Sequence, residues 1–514
     1  MTLSRGAMLL SRGTWCFLAI AVAAACAASP SDAPATQTSP TQPGADAAPP
    51  SAASPSDAAA QPAGDPFAAQ PDESEGLTNV SADLGALLES GALSGACDRY
   101  RAGQTDRKTM LLCGKWMFFY EPFGTAGMPA ALVKFLAQNF PDELGLGFEK
   151  LGMVPDPGSA DMLPLGLAAT TPMSGNIDAV AFTCASCHFG KLPDHRYAVG
   201  APNQDYDYGR HILTITLAAG LGLGTSKAAD HDPAAVALVQ PVVDKLSNNL
   251  TLKAQFGLKL LPLASVKQPG ITPEIERQYA SWAPGTLDFM IAPLPVDDGV
   301  EIVGKMMPLW GIPRQAEITG SGMSNAMLAW TGDTHSLDEF LGGFATLGGA
   351  APPTADKILP LAEYIYSLRA PQNPSPPAAS LVSTGAALYA SKGCAGCHDG
   401  PRGSGKRVYT FDEIGTDRAL AKWLDPTMSG SPCCGVAVPP GTLLHGVKSP
   451  RLVGMWALDR FLHNGSLTTL EQLFCLDARP AGAPEPLGNA GHGFTCDALS
   501  TDEKHALIAY LRSH

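Results

Sequence analysis

The pentapeptide Cys-x-x-Cys-His occurs twice in this chain of 514 residues, as C-A-S-C-H at 184–188 and as C-A-G-C-H at 394–398. Random placement of the 12 Cys and 11 His would produce roughly 0.006 such strings, so the repetition has a cause. Two thiols at this spacing can each bond one vinyl group of a haem, and the histidine that follows then reaches the iron. The sequence therefore predicts two covalently bound c-type haems, held by Cys184 and Cys187 with proximal ligand His188, and by Cys394 and Cys397 with proximal ligand His398.

Two other uses of this motif are weaker. Structural zinc needs four nitrogen or sulfur ligands in one place, and neither motif has a second Cys-x-x-Cys pair close by. A redox-active dithiol would not explain a histidine at the same offset in both copies. Covalent haem remains the interpretation that uses every residue of the motif.

The N-terminus has the features of an export signal, which fits covalent haem attachment outside the cytoplasm. Arg5 and Arg12 precede an apolar run at 15–22, and three alanines then lead to Cys26. Cys26 resembles a lipoprotein cleavage site, although Ala23 stands where that pattern usually has Leu. We expect a signal peptide at 1–25 and an exported protein, either periplasmic, an outer-membrane lipoprotein attached through a lipid on Cys26, or secreted after ordinary cleavage. Residues 26–77 are rich in Ala, Pro and Ser and predict a disordered tether.

The remaining cysteines also suit an oxidising compartment. Without the motif thiols, Cys16 and Cys26, six are left, an even number that allows three disulfides in 15 pairings. Cys97 and Cys113 form the natural local pair. The other four, which surround the second motif and would staple it, are Cys433, Cys434, Cys475 and Cys496.

Composition and helix signals predict the fold class. The 54 Gly and 45 Pro indicate long loops and little sheet, and a net charge of −14 without a basic cluster argues against a nucleic-acid partner. A short apolar face at 384–389 predicts a helix before the second motif, and the capping box Ser500-x-x-Glu503 begins a C-terminal helix. We expect a mainly α protein with cytochrome c-type haem domains, an N-terminal one at 78–375 and a C-terminal one at 376–514. No further internal repeat is evident.

Longer segments resemble the large dihaem cytochromes c related to bacterial dihaem cytochrome c peroxidases and dihaem rubber oxygenases. The resemblance covers roughly 140–514, and Arg460-Phe461 departs from it because the family has Pro-Tyr there, so a tyrosine ligand or relay at that place is absent. The matching segments are "DMLPLGLAATT", "CASCHFGKLPDHRYAVGAPNQDYD", "SLRAPQNPSPPAASLVSTGAALYASKGCAGCH", "KSPRLVGMWALDRFLHNGSLTTLEQLF" and "NAGHGFTCDALSTDEKHALIAYLRS".

The resemblance implies axial and neighbouring residues for each haem. His492 matches the distal ligand of the second haem, with Met428 and Met455 as alternatives, and His463 is expected beside the haem propionates rather than on the iron. Related enzymes keep the distal side of the first haem open to the oxidant, and no ligand stands out for it here. Candidates are His195, His211 and His335.

The segment between the motifs supplies candidate catalytic residues. Trp310 and Trp330 could relay electrons or form the wall of a distal pocket, although a tryptophan is more often a core residue. Glu317 and Asp333 are candidate acid–base groups. We expect reduction of H2O2 with electrons from a small donor protein, a cytochrome or cupredoxin. The alternatives are a dioxygenase that uses O2 to cleave an apolar polyene, and a non-enzymatic electron carrier.

Overall fold

The computed structural model of the protein describes most of the chain after the predicted tether. Leu77 is already 7% exposed and belongs to the core, so the folded region includes the last residues of that tether. No helix within the described ranges combines the length and the apolar character needed to span a membrane. The described residues are 76–514 except 90, 174, 263–271, 289–301, 324–327, 333, 348–349, 421–445 and 484–485. The predictions for the signal peptide, Cys26, Met428, Cys433, Cys434 and Asp333 therefore lie outside them.

Helices form most of the regular structure, which confirms the mainly α prediction. Several begin at an Asp, Thr or Ser side chain that accepts hydrogen bonds from the first-turn amides, as at Asp207 and at the predicted capping box of Ser500 and Glu503. In chain order the helices are α1 Leu84–Leu87, α2 Ala96–Arg101, α3 Arg107–Tyr120, α4 Ala130–Asn139, α5 Pro141–Leu144, α6 Cys184–His188, α7 Tyr208–Leu223, α8 Pro233–Asn248, α9 Leu250–Leu260, α10 Pro273–Ser281, α11 Gln315–Ser321, α12 Leu337–Leu347, α13 Ala355–Tyr366, α14 Ala379–Ser391, α15 Phe411–Ile414, α16 Leu470–Leu473, α17 Phe494–Asp497 and α18 Thr501–Arg512.

The strands are short and pair antiparallel in small sheets. Three-stranded sheets have the orders β1-β6-β5 and β2-β4-β3, and β7-β8 and β9-β10 form two-stranded sheets. The first Cys-x-x-Cys-His motif lies between β4 and β5, so both larger sheets hold its ends. The strands are β1 Val80–Ser81, β2 Met128–Pro129, β3 Leu167–Met173, β4 Ile177–Phe182, β5 Phe189–Lys191, β6 Tyr197–Val199, β7 Thr286–Asp288, β8 Val303–Lys305, β9 Val408–Thr410 and β10 Gly446–Lys448.

The predicted helix before the second motif and the C-terminal helix pack directly on each other. They cross at Gly385 of α14, where an added Cβ would lie 2.1 Å from the carbonyl oxygen of Ala506 in α18. One turn later the rings of Tyr389 and Tyr510 are 5.4 Å apart. Only glycine permits so close a crossing, and the crossing fixes the helix that leads into Cys394.

A second helix pair has the same geometry, and the sequence did not reveal it. Gly114 of α3 crosses α13 so that a Cβ would lie 2.0 Å from the carbonyl oxygen of Pro360. Four residues after each of these positions, the rings of Phe118 and Tyr364 are 6.0 Å apart. The contacts repeat those of Gly385, Ala506, Tyr389 and Tyr510 at identical spacings. The two helix crossings are therefore similar in structure, and the expectation of no further repeat in the sequence stays a prediction.

The apolar core is continuous across the predicted domain boundary at 375/376. The boundary falls in the loop between α13 and α14, but Tyr364 before it and Tyr389 and Leu507 after it belong to one buried cluster. A second cluster, centred on α4, α7 and α8, packs around Cys187. The first motif therefore lies where the two clusters meet.

Candidate haem sites at the two Cys-x-x-Cys-His motifs

The first motif is held by hydrogen bonds from several parts of the chain. Thr183 Oγ1 donates to the Phe119 carbonyl at 3.0 Å, which attaches the start of α6 to α3. The Asn203 amide donates to the Cys187 carbonyl at 2.8 Å, and its side chain donates to the Ser186 carbonyl at 3.2 Å. These contacts hold the backbone at both ends of the Cys-x-x-Cys segment.

His188 is oriented as a metal ligand would be. Its Nδ1 is 2.9 Å from the Met307 carbonyl oxygen. Because a carbonyl can only accept, Nδ1 carries the proton and Nε2 keeps its lone pair. Burial lowers the pKa of His188 to about 4, which keeps the ring neutral at ordinary pH.

The second motif repeats this arrangement on a different scaffold. A short 3₁₀ turn, Cys394–Gly396, follows α14, and His398 Nδ1 is 2.7 Å from the Gly403 carbonyl oxygen. The Tyr389 hydroxyl donates to the His398 carbonyl at 2.7 Å. Burial lowers the pKa of His398, so this ring too is neutral with its lone pair on Nε2.

The four motif cysteines are free thiols, whereas the other described cysteines form disulfides. Cys97–Cys113, with an S–S distance of 2.11 Å, confirms the predicted local pair, and Cys475–Cys496 forms another. Burial raises the pKa values of Cys184 and Cys187 to about 12. A reactive dithiol needs the opposite, a lowered pKa in positively charged surroundings, so this environment speaks against the dithiol interpretation.

A cavity of about 510 Å³ opens beside the second motif. This volume lies within the range of roughly 300–1,000 Å³ that is typical of small-molecule and cofactor sites. Its wall combines the motif with His492 and a largely apolar lining from distant segments. Besides Cys394, Cys397, His398 and His492, the lining includes Trp330, Met455, Leu458, Phe461, Leu462, His463, Leu473, Phe474, Leu507 and Leu511.

His492 lines the same cavity as His398, as expected for two axial ligands. Burial lowers the pKa of His492 to about 3, and His398 lowers it further because the two rings are close. Its buried Nδ1 has no hydrogen-bond partner among the described residues. Leaving such a nitrogen unsatisfied costs roughly 1–3 kcal/mol. The backbone reaches this position because Gly491, with φ of +121°, passes close to Thr416, whereas Gly493 faces open space.

Three cations that the sequence analysis did not single out also line this cavity. Burial lowers the pKa of Lys305 to about 8, that of Lys448 to about 7 and that of Arg451 to about 10. Lys448 is 3% exposed, and its ammonium has no ion-pair or hydrogen-bond partner within the described ranges. Buried cations are normally paired, so the cavity has the charge to receive an anionic group such as a carboxylate. No local pattern reveals these residues, because they converge only in the fold.

The other residues predicted for the second site occupy its wall. His463 Nε2 is 3.2 Å from Asp417 Oδ1, and its Nδ1 faces the Thr416 hydroxyl at 3.4 Å. Both ring nitrogens therefore have partners, which suits a supporting residue better than a ligand. Met455 is buried in the lining and is the alternative ligand that lies within the described residues.

The two tryptophans take different places. Trp330 lines the cavity of the second site, with Lys305 Nζ 5.5 Å above its ring. Trp310 is fully buried, donates to the Val199 carbonyl at 2.8 Å, and packs between Gly200 and Gly454. It therefore joins the segment after the first motif to the wall of the second site.

Of the three candidate ligands of the first site, two are exposed and one is buried. His195 and His335 are exposed. His211 is buried, but its pKa is lowered to about 3 by burial alone, whereas that of His492 is lowered also by His398. Its Nδ1 is 2.6 Å from the Tyr206 hydroxyl.

Glu317 forms an ion pair rather than serving as a free acid or base. Its Oε1 is 2.5 Å from Nη1 of the buried Arg402. Burial raises the pKa of Glu317, but the hydrogen bonds from Arg402 and from the Arg314 backbone outweigh burial and hold the pKa below its usual value. The pair anchors Arg402, whose Nε donates to the Gly311 carbonyl at 2.6 Å.

One segment, 307–311, links the two motifs. The Met307 carbonyl oxygen lies at hydrogen-bonding distance from His188, while Met307 and Pro308 themselves line the cavity of the second site. Arg451 donates to the Pro308 carbonyl at 2.8 Å and to the Trp310 carbonyl at 2.9 Å. His188 of the first motif is thus hydrogen-bonded to the wall of the cavity beside the second motif.

Comparison with known proteins identifies only part of the chain. A family model for the Y4iN-like domain matches residues 113–188, which run from α3 to the histidine of the first motif. No curated protein matches the chain. A solved structure of hydrazine synthase from Kuenenia stuttgartiensis, pressurized with xenon, is similar at 18% identity and a TM-score of 0.28, over 46% of this chain and 79% of that chain. So low a TM-score carries no argument about fold or function. Within the described residues, no group of three or more His, Cys, Asp or Glu side chains could hold a metal ion.

Proposed function

We propose that this protein is an exported dihaem c-type cytochrome that reduces H2O2 with electrons from a small donor protein, a cytochrome or cupredoxin. The observation that carries the proposal is the cavity of the second site. It joins two free thiols, two neutral histidines and the unpaired buried ammonium of Lys448 around a largely apolar space. Each feature matches one part of a haem, namely its vinyl groups, iron, propionates and ring.

The residues of the second site have distinct roles in the proposal. Cys394 and Cys397 would bond the haem, with His398 and His492 as axial ligands. Lys448 and Arg451 would neutralise its propionates, and burial of these cations makes that attraction strong. Two strong axial ligands suit a haem that stores and passes electrons. The haem supplies the redox chemistry, and the chain sets ligation, charge and access.

The first site is proposed as the place where H2O2 reacts. Cys184, Cys187 and His188 would hold the haem there. The proposal is supported by the exposure of two of the three candidate ligands, His195 and His335. An iron with one strong axial ligand can bind an exogenous molecule. Electrons from the second site would cross the 307–311 segment, along which Trp310 and the Met307 carbonyl lie.

Location and partners are parts of the same proposal. Covalent haem attachment and the disulfides Cys97–Cys113 and Cys475–Cys496 suit the periplasm or another oxidising compartment. The protein would be periplasmic, secreted, or attached to the outer membrane through a lipid on Cys26.

The test begins with the cofactor itself. The mature protein should have a mass that includes two haems and keep its Soret band after acid–acetone extraction. Its EPR spectrum should show one low-spin and one high-spin haem. A protein without covalent haem would refute the proposal outright.

Variants at the second site then test the ligand assignment. His492→Gly should convert only the low-spin haem to high spin, because it removes one axial ligand. Met455→Leu, at the alternative ligand, is the matched control and should leave the spectrum unchanged. The opposite pattern would assign Met455 as ligand. Two low-spin haems that ignore H2O2 and CO would make the protein an electron carrier, and oxygen uptake with polyisoprene would make it an oxygenase.

A further inference from the structure

Four aromatic side chains form a continuous buried row that begins beside the first motif. The ring centroids of Tyr206 and Tyr208 are 6.2 Å apart, and those of Tyr208 and Tyr279 are 6.0 Å apart. Trp282 lies 4.6 Å from Tyr279 and 6.4 Å from Tyr208. Each of the three tyrosines is at most 1% exposed, so the row passes through the core.

One end of the row touches the first site. Tyr206 and Cys187 belong to the same buried cluster. The backbone connects them as well, since Asn203 donates to the Cys187 carbonyl and accepts from the Tyr206 amide. Tyr206 therefore lies next to the proposed haem attachment at Cys187.

The other end approaches the surface. Trp282 is 5% exposed, and its neighbours Ser281 and Ala283 are exposed. An electron donor that is too large to enter the protein could reach this end of the row.

Two tyrosines of the row have a proton acceptor at hydrogen-bond distance. The Tyr206 hydroxyl is 2.6 Å from His211 Nδ1, and the Tyr279 hydroxyl donates to Asp288 Oδ2 at 2.7 Å. Both acceptors are buried, at 1% and 3% exposure. A tyrosine needs such a base for reversible oxidation, because a phenol that loses an electron becomes a strong acid. A tyrosine that served only packing would be satisfied by a backbone carbonyl or an amide, as Tyr364 is by Asn79 Oδ1 at 2.7 Å.

We infer that Tyr206, Tyr208, Tyr279 and Trp282 form an electron relay between the first site and the protein surface. The inference rests on the proposed reaction with H2O2, which takes up two electrons and two protons to form two waters. One electron comes from the second site and the other from Tyr206, whose phenolic proton moves to His211 Nδ1. The electron vacancy passes along the row, and a reductant at Trp282 fills it. The proton then returns from His211 and restores the Tyr206 hydroxyl.

The test uses the full-length, haem-loaded protein, reduced by one electron per molecule so that the second site can supply its electron, then mixed with H2O2, rapidly frozen and examined by EPR. A tyrosyl radical should form in the wild type, and its signal should fall at least tenfold in Tyr206→Phe. Tyr364→Phe is the matched control, since it removes one hydroxyl and one hydrogen bond from an equally buried tyrosine, and it should keep the signal. In Trp282→Phe the radical should persist longer when an external reductant is added.

The outcomes separate the relay from the proposed function. Loss of covalent haem would refute the function and with it the relay. A wild-type protein that carries both haems but gives no tyrosyl signal overturns the relay alone. A signal that survives unchanged in Tyr206→Phe overturns it as well. Because a phenylalanine ring keeps the packing, the haem absorption of each variant should match that of the wild type and thereby exclude misfolding.

Discussion

Gly385→Ala tests whether the crossing of α14 and α18 builds the second site. The new methyl group would lie 2.1 Å from the Ala506 carbonyl oxygen and 2.6 Å from Tyr510 Cβ. Carbon–oxygen contacts are normally about 3.3 Å or longer, so the helices must separate by roughly 1 Å. Overpacking of this kind typically costs about 1–3 kcal/mol.

The control must remove the effect of alanine on the helix itself. Alanine stabilises a helix relative to glycine by about 1 kcal/mol, and Gly342 in α12 has no atom within 4 Å of its added Cβ. Gly342→Ala therefore has the higher helix propensity of alanine without a steric clash. The difference between the two variants, measured as free energies of unfolding in urea, should be about 1–3 kcal/mol.

The same experiment tests the structural repeat. Gly114→Ala places its methyl group 2.0 Å from the Pro360 carbonyl oxygen and should show a similar loss. The haem absorption of the first site should change in Gly114→Ala and that of the second in Gly385→Ala. If both variants were as stable as Gly342→Ala, close helix crossing would not shape the sites and this reasoning would be wrong.

The remaining predictions concern charge and covalent links. Burial lowers the pKa of Lys448 from 10.5 to about 7. Between pH 7 and pH 10.5 the unfolded chain therefore binds more protons than the folded chain does. In the haem-free Cys394→Ser/Cys397→Ser variant, the free energy of unfolding should thus rise with pH across this window. Adding Lys448→Met should remove this rise, which urea unfolding at pH 7 and pH 9 would measure. If the dependence of stability on pH were unchanged in that variant, the burial of the Lys448 ammonium would be contradicted. Cys97→Ser/Cys113→Ser removes a disulfide whose cysteines are 16 residues apart in the sequence. The free energy of unfolding, measured in urea without reductant, should fall by about 3 kcal/mol. An effect near zero would mean that the disulfide does not constrain the unfolded chain.

Local sequence patterns predicted local structure well. The capping box of Ser500 and Glu503 begins α18, and the apolar residues Ala506, Leu507, Tyr510 and Leu511 that follow are all buried. The Cys97–Cys113 disulfide was predicted for the same reason, since its partners are near neighbours in the chain. Each of these signals is complete within about twenty residues.

Features that depend on distant segments were missed. Lys448, Arg451 and Lys305 look like ordinary basic residues in the sequence, and only the fold places them in one cavity. The equivalence of α3 with α14 was hidden because α13, the partner of α3, lies more than two hundred residues further along the chain. Periodicity within one helix shows which face is buried, but it does not show which helix will cover that face.

This distance between α3 and α13 has a consequence for biogenesis. In the proposed exported protein, the thiols of Cys184 and Cys187 would leave the translocation channel, like those of Cys97 and Cys113, long before α13 is available to pack on α3. Joining segments so far apart costs little equilibrium stability, because closure entropy grows only with the logarithm of loop length, but it slows folding. In the proposed oxidising compartment these four thiols would be exposed during that interval, and scrambled pairing would compete with haem attachment. The proposal therefore predicts a dedicated reductant that keeps the first pentapeptide open until its porphyrin is joined.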